Sequence, residues 1–179
     1  MREDIVFAGF GGQGIMLMGK ALSYAAMKKG WFVSWMPSYG AEVRGGTAHS
    51  MVVISDTPIA SPVVKDPSIC IVMNKPSFEK FESRVKKNGV LIINTSLIEN
   101  GTGRRDIDVL GIPATDMASK LGNPRVGNMI MLGALLSRRN ILPVPLLIDS
   151  LKDVIPAARQ NMISINEKAI RQGHEYGSR

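Results

Sequence analysis

The sequence predicts a single-domain α/β fold over residues 1–179, with a doubly wound, mostly parallel, Rossmann-like sheet and helices on both faces. Three observations predict it. Short apolar runs alternate with helical patterns, and these runs are apolar throughout, as in strands that are covered on both faces. A glycine-rich turn joins the first run to the first helix. The length allows one sizeable core, and no linker divides the chain.

The elements follow from local patterns along the chain. Strands are predicted over residues 5–10, 31–36, 47–54, 68–73, 89–94 and 107–114. Helices are predicted over residues 12–29, 76–87, 115–121, 126–139, 143–154 and 159–172. Gly30 ends the first helix. The helix over 126–139 is apolar nearly all round, so it is either central in the fold or packed against a partner.

Composition and charge exclude several classes of protein. The net charge is +7, but the basic residues occur in short pairs, such as Lys28 and Lys29, which favours a solvated surface over a nucleic-acid-binding module. No apolar run reaches the roughly 20 residues of a membrane helix. The acidic start of the chain is unlike a signal peptide, so we expect a cytoplasmic protein without membrane contact.

Cysteine and histidine are too few for redox or metal chemistry within the chain. The one cysteine, Cys70, cannot form an internal disulfide or hold an iron–sulfur cluster, which needs about four thiolates. Its apolar surroundings favour a buried structural residue over a reactive one. The two histidines, His49 and His174, show no metal-ligand spacing. No nucleophile–base pair or carboxylate pair stands out, so we predict no catalytic residue and no metal site.

The first candidate binding element is the glycine loop between the first strand and the first helix. It contains Gly11, Gly12, Gln13 and Gly14. Free N–H groups and the helix dipole favour an anion there, but the glycines can equally serve close packing of helix on strand. Gln13 can reach towards a ligand or cap its own helix. Dinucleotide binding also needs an acid after the second strand, and Ser34, Trp35 and Met36 stand there instead.

The second candidate element is the loop after the second predicted strand. Its candidate residues are Tyr39, Gly40, Glu42, Arg44, Gly45 and Gly46. The loop should start at the same carboxyl edge of the sheet as the glycine loop, where open α/β sheets bind ligands. Arg44 can clamp a phosphate or carboxylate, or it can pair with Glu42 and only shape the loop. We favour a functional role.

Together these two loops resemble a known family. The segments "GFGGQG" and "YGAEVRGGTAHSMVVIS", followed by "PIASP", "NTSLI" and "NMIMLGALLSRRNILP", are similar to the gamma subunit of 2-oxoacid:ferredoxin oxidoreductases, the family that includes the pyruvate, ketoisovalerate and 2-oxoglutarate enzymes. The resemblance covers residues 4 to about 173. It implies that the chain is one gamma domain, and that the ten loop residues named above contact a cofactor or a neighbouring subunit.

The resemblance also implies an activity that no single chain performs. The assembled enzyme converts a 2-oxoacid, coenzyme A and oxidised ferredoxin into acyl-CoA, carbon dioxide and reduced ferredoxin. Thiamine diphosphate and iron–sulfur clusters are expected in alpha, beta or delta partner subunits, and the gamma chain is expected to handle coenzyme A and to be inactive alone. Ferredoxin is then an indirect partner, and the isolated chain can form homodimers through its apolar partner surface.

Two points stay open at the level of sequence. The identity of the 2-oxoacid is not encoded in a recognisable motif, although a separate short gamma chain favours 2-oxoglutarate or a branched-chain acid. The alternative function is a free-standing, nucleotide-binding Rossmann-like oxidoreductase, which lacks its ribose anchor.

Overall fold

A six-stranded sheet forms the centre of the protein, whose computed structural model describes residues 1–38 and 47–179. Its strands are β1 (Arg2–Gly9), β2 (Phe32–Ser38), β3 (Ala48–Ser55), β4 (Ile69–Val72), β5 (Val90–Asn94) and β6 (Asp108–Ile112). Their order is β2-β3-β1-β4-β5-β6. Strand β3 is antiparallel to both β1 and β2, whereas β1, β4, β5 and β6 are mutually parallel. The predicted mostly parallel α/β fold is confirmed.

Helices cover both faces of this sheet, but unequally. They are α1 (Ile15–Lys28), α2 (Lys75–Phe81), α3 (Ala114–Lys120), α4 (Gly127–Arg138), α5 (Val144–Val154) and α6 (Ile163–Gly177). Five of them share a core with the sheet face that carries Ile5, Phe7 and Ile71. Among the helices of the described residues, only α2 packs on the face that carries Val6 and Cys70. No helix in the described ranges is long and apolar enough to cross a bilayer.

Helix α4 is the central helix of the larger core. Each of its residues from Gly127 to Leu136 is buried. It packs against α6 so closely that a Cβ on Gly133 would lie 2.0 Å from the Ile170 carbonyl oxygen. The apolar sequence of α4 indicated either a central helix or a helix packed against a partner. The structure supports the first interpretation, a central position within this chain.

The first predicted helix begins later than its sequence pattern indicated. The pattern started at Gly12, but α1 starts at Ile15. The reason is that Gly12 and Gly14 have φ angles of 91° and 74°, which no helical residue adopts. The residues between β1 and Ile15 thus form a loop of their own.

Two other helix boundaries were wrong. The pattern over 76–87 yields an α-helix only as far as Phe81, followed by a 3₁₀ turn at Glu82–Arg84. The pattern over 159–172 starts within a 3₁₀ turn, and α6 itself continues to Gly177. Its last residues pack closely against α4, since a Cβ on Gly177 would lie 2.1 Å from the Ser137 hydroxyl oxygen.

Cys70 is fully buried in β4, which confirms the structural interpretation of this residue. Burial raises the pKa of its thiol to about 12. Since the thiolate is the reactive form, we predict no labelling of the folded protein by iodoacetamide at pH 8 and complete labelling after denaturation. Mass spectrometry of both samples measures this, and stoichiometric labelling of the folded chain would contradict it.

Candidate functional site

The glycine loop follows β1 at the carboxyl edge of the sheet and leads into α1. Gly11 and Gly12 are exposed, and Gly14 is the N-cap residue of α1. The backbone N–H groups of Gly12, Gly14 and Ile15 have no hydrogen-bond acceptor among the described residues. The loop therefore presents unsatisfied donors next to a helix amino terminus, as an anion requires.

The second predicted loop cannot be compared with the structure in the same way. All six of its candidate residues, Tyr39 to Gly46, lie outside the described residues. The residues that flank it are described, and the sheet register pairs Gly9 with Ala48 and Ser38 with His49. Both flanks of the second loop thus lie at the same edge of the sheet as the glycine loop. Ala48 is directly beside Gly9, and Ser38 is one strand further away.

A groove lies directly beside the glycine loop. It consists of two adjoining cavities of about 560 and 330 Å³, both bordered by Gly12, Gly14, Leu17 and Arg159. The smaller cavity extends along Gly11 to Ala48, the first residue of β3. We call this space the glycine-loop groove. Its combined size is in the range of small-molecule binding sites, which measure roughly 300–1,000 Å³.

Three helices begin at this groove. The N-cap residues of α1, α4 and α6 are Gly14, Val126 and Met162, and all three line the larger cavity. None of these helices has an acidic residue in its first turn, and none of the three N-cap side chains makes a capping hydrogen bond in the described part of the chain. Each amino terminus contributes a partial positive charge of about +0.5, so the groove favours negative charge.

Two arginines add full positive charge to the same groove. Arg125 precedes α4 and Arg159 precedes α6, and both side chains are exposed on the lining. Neither guanidinium has an ion-pair or hydrogen-bond partner within residues 1–38 and 47–179. The described lining residues include no aspartate or glutamate. Free guanidinium groups of this kind bind phosphate or carboxylate bidentately.

The glycine loop is fixed to the helix that starts beside it in space. Asn128, buried at the start of α4, donates through Nδ2 to the Gly14 carbonyl oxygen at 3.2 Å. Gly14 must lack a side chain because a Cβ there would lie 2.2 Å from that nitrogen. Close packing therefore explains Gly14. Gly12 has open space around its Cβ position and faces the groove.

Sequence reasoning missed Arg125, Arg159 and Asn128. They lie far along the chain from the glycine loop, and Gly14 and Asn128 are 114 residues apart in sequence. The available signal was weak: each arginine precedes a helix that has no acid in its first turn. That signal identifies a cation near a helix amino terminus but does not show which loop it faces.

The sheet order gives a second reason against a dinucleotide site. In the Rossmann arrangement the ribose-binding acid stands at the end of the strand beside β1. Here β3 lies between β1 and β2, so Ser34, Trp35 and Met36 belong to an edge strand that does not adjoin the glycine loop strand. Both the residue type and the strand position are thus unsuited to a ribose anchor.

Another cleft, of about 520 Å³, lies between α2 and the segment after β5. Its lining includes Lys75 together with two carboxylates, Glu79 and Glu99. The excess of negative charge makes it a poor anion site. Within the described ranges, no group of three or more histidine, cysteine, aspartate or glutamate side chains is placed to hold a metal ion.

The fold and the groove define an α/β protein with a positively charged groove at the carboxyl edge of its sheet. Comparison with known sequences identifies it further. The chain belongs to the pyruvate ferredoxin/flavodoxin oxidoreductase family, whose sequence profile matches residues 4–176. The resemblance stated from the loop motifs is thereby confirmed.

Two relatives illustrate the range within this family. The chain is 33% identical over 175 residues to ketoisovalerate oxidoreductase subunit VorA of Methanothermobacter thermautotrophicus, and this match covers 96% of the chain but only 36% of that subunit. It is 34% identical over 178 residues to 2-oxoglutarate synthase subunit KorC of Methanocaldococcus jannaschii, which covers 98% of the chain and 94% of KorC.

Solved structures share the fold. The gamma subunit of a keto/oxoacid ferredoxin oxidoreductase from Geobacter sulfurreducens superposes with a TM-score of 0.86 at 24% identity, over 99% of this chain and 97% of that one. The 2-oxoglutarate:ferredoxin oxidoreductase from Magnetococcus marinus, solved with 2-oxoglutarate, coenzyme A and succinyl-CoA bound, gives 0.88 at 22% identity, over 98% of this chain and 31% of that one.

Proposed function

We propose that this protein is the gamma subunit of a multisubunit 2-oxoacid:ferredoxin oxidoreductase and that its glycine-loop groove receives the phosphate groups of coenzyme A. Alpha and beta subunits, with or without a delta subunit, would carry thiamine diphosphate and the iron–sulfur clusters. Thiamine diphosphate and the clusters supply the decarboxylation and the electron transfer, and this chain supplies binding.

The family membership and the relatives support the subunit assignment. KorC matches this chain over nearly the full length of both, and VorA contains a corresponding segment within a longer subunit. Relatives of this chain are named for ketoisovalerate, 2-oxoglutarate and pyruvate enzymes, so the preference for a branched-chain acid or 2-oxoglutarate remains a prediction from the sequence. The chain's single cysteine, Cys70, is buried, so it offers no set of thiolates for a cluster.

One observation carries the coenzyme A assignment: three helix amino termini and two guanidinium groups border one groove. Among residues 1–38 and 47–179, neither guanidinium has a partner and no carboxylate lines the groove. Coenzyme A presents a pyrophosphate and a 3′-phosphate, and these anions match the donors of the glycine loop, Arg125 and Arg159. The groove also has an apolar side, made by Leu17, Val126 and Ile155, which suits the flat face of an adenine ring.

A double substitution of the two arginines tests the groove. Arg125→Ala with Arg159→Ala is expected to weaken coenzyme A binding about tenfold, since a hydrogen bond to a charged group contributes about 1.5–3 kcal/mol and exposure to water reduces that value. Isothermal titration calorimetry on the full chain measures the affinity, and the KM for coenzyme A measures it in the assembled enzyme.

The matched control is Arg171→Ala, which removes an exposed arginine of α6 that is paired with Glu167 and does not line the groove. It should leave affinity unchanged. Equal affinity of the double variant and the unaltered chain would overturn the groove assignment. Turnover of a 2-oxoacid by the purified chain alone, or a failure to co-purify with alpha and beta subunits, would overturn the subunit assignment. Tight binding of NAD in the same titration would revive the free-standing oxidoreductase.

A further inference from the structure

The side chain of Gln13 points back into the protein and not into the groove. The Phe10 N–H donates to Gln13 Oε1 at 2.7 Å, and Gln13 Nε2 lies 3.5 Å from the Met73 carbonyl oxygen. In addition the Gln13 backbone N–H donates to the Phe10 carbonyl oxygen at 3.2 Å. The amide group therefore closes the glycine loop on itself and fastens it to the end of β4.

Gly9 makes room for this arrangement. A Cβ at Gly9 would lie 2.6 Å from Gln13 Oε1 and 2.9 Å from Met73 Cβ. A larger residue would displace the amide from the end of β1. The spacing of Gly9 and Gln13 in the sequence thus has a packing function that is separate from any contact with a ligand.

Asn74 connects the same amide to α2. This residue follows β4, is 2% exposed and is the N-cap of α2, where its Oδ1 accepts from the Ser77 N–H at 2.9 Å. Its Nδ2 donates to Gln13 Oε1 at 3.3 Å. One buried side chain therefore caps a helix with its oxygen and holds the glycine loop with its nitrogen.

The connection extends to the next strand. Asn94, fully buried at the end of β5, donates through Nδ2 to the Met73 carbonyl oxygen at 3.3 Å and to Thr115 Oγ1 at 3.0 Å. The carboxyl ends of β1, β4 and β5 are thereby joined by one chain of polar contacts. A loop that is held in this way does not need to reorganise when a ligand arrives.

We propose that Gln13 is a positioning residue of the glycine-loop groove, and that Asn74 holds its amide so that the loop donors are in place before an anion binds. This inference rests on the proposed function for its ligand. The positioning of the glycine loop by Gln13 is a property of the unliganded chain, and it is measured on that chain without coenzyme A. Gln13 acts through the backbone of the loop and does not contact coenzyme A.

Asn74→Ser separates the two roles of Asn74. Serine retains a capping oxygen for α2 and removes the donor to Gln13 without adding charge. We expect amide hydrogen exchange at Phe10, followed by NMR on the unliganded chain, to become about three- to tenfold faster, and coenzyme A affinity to fall by a similar factor. The melting temperature should change far less than it does in Asn74→Ala, which also loses the cap.

A double-variant cycle completes the test. If Asn74 acts through Gln13, the combination of Asn74→Ser and Gln13→Ala exchanges no faster at Phe10 than Gln13→Ala alone. Asn140→Ser, at an exposed position beyond the carboxyl end of α4, is the matched control and should change neither exchange nor affinity.

The outcomes separate this inference from the proposed function. Unchanged exchange at Phe10 in both Asn74→Ser and Gln13→Ala would overturn the positioning role, whatever the ligand. Faster exchange in a chain that binds no coenzyme A would overturn the proposed function while supporting the positioning of the loop. Weakened affinity in Gln13→Ala with normal exchange at Phe10 would indicate direct ligand contact and would overturn the inference.

Discussion

Gly173→Ala is expected to destabilise the protein by about 3 kcal/mol or more, the largest effect of any single methyl group that we predict. A Cβ at this position would lie 1.9 Å from the Ile130 carbonyl oxygen and 2.7 Å from its carbonyl carbon. These are backbone atoms of the buried helix α4, so no side chain can rotate away. The two helices must separate, and the core around α4 loses its packing. Urea denaturation followed by circular dichroism measures the loss.

Gly101→Ala is the matched control for this substitution. A Cβ at Gly101 would meet nothing within 4 Å, so the same added methyl group should change the free energy of unfolding by no more than about 0.5 kcal/mol. Gly133→Ala, on the facing helix, should reproduce the large effect, since its Cβ would lie 2.0 Å from the Ile170 carbonyl oxygen. Wild-type stability of Gly173→Ala would show that α4 and α6 are farther apart than described.

Gly14→Ala is expected to have the largest effect on the groove. Its backbone is left-handed, which costs a side-chain-bearing residue about 1–2 kcal/mol, and its Cβ would lie 2.2 Å from Asn128 Nδ2. The Asn128 side chain must move, and its hydrogen bond to the Gly14 carbonyl oxygen is lost. We expect stability to fall by about 2 kcal/mol and coenzyme A affinity to fall more than tenfold.

Gly12→Ala separates the effect of left-handed backbone strain from the effect of displacing Asn128. Gly12 is also left-handed, with φ of 91°, but has open space where its Cβ would stand. It should incur the backbone strain without displacing Asn128. The difference between the two variants in melting temperature then reports the contact with Asn128. Indistinguishable values for Gly12→Ala and Gly14→Ala would contradict the role assigned to that contact.

Local sequence patterns predicted most helices and strands of the fold, because buried residues recur at short and regular intervals along a strand or a helix. The continuous apolar segments became β4 and β5, and the helix that is apolar all round became the central helix α4. The glycine spacing correctly marked a loop at a helix amino terminus. The patterns failed where packing decides the boundary, as at the carboxyl end of α6, which continues through Gly173 to Gly177.

The candidate site was predicted only in part, because a sequence motif describes one wall of a groove. Gln13 stood out as a long amide among glycines, and the structure directs it towards Phe10 and Asn74 and away from the groove. Arg125 and Arg159 carried no motif of their own. Their alignment with the glycine loop arises only when α1, α4 and α6 begin at the same place.

The sequence by itself determined the class of fold, the family, and the glycine loop, because each depends on residues that are near one another along the chain. Only the tertiary structure decided that β3 inserts antiparallel between β1 and β2, and that two distant arginines face Gly12 and Gly14. These features depend on which distant segments pack together. That choice minimises exposed apolar surface over the whole core, and no local pattern encodes it.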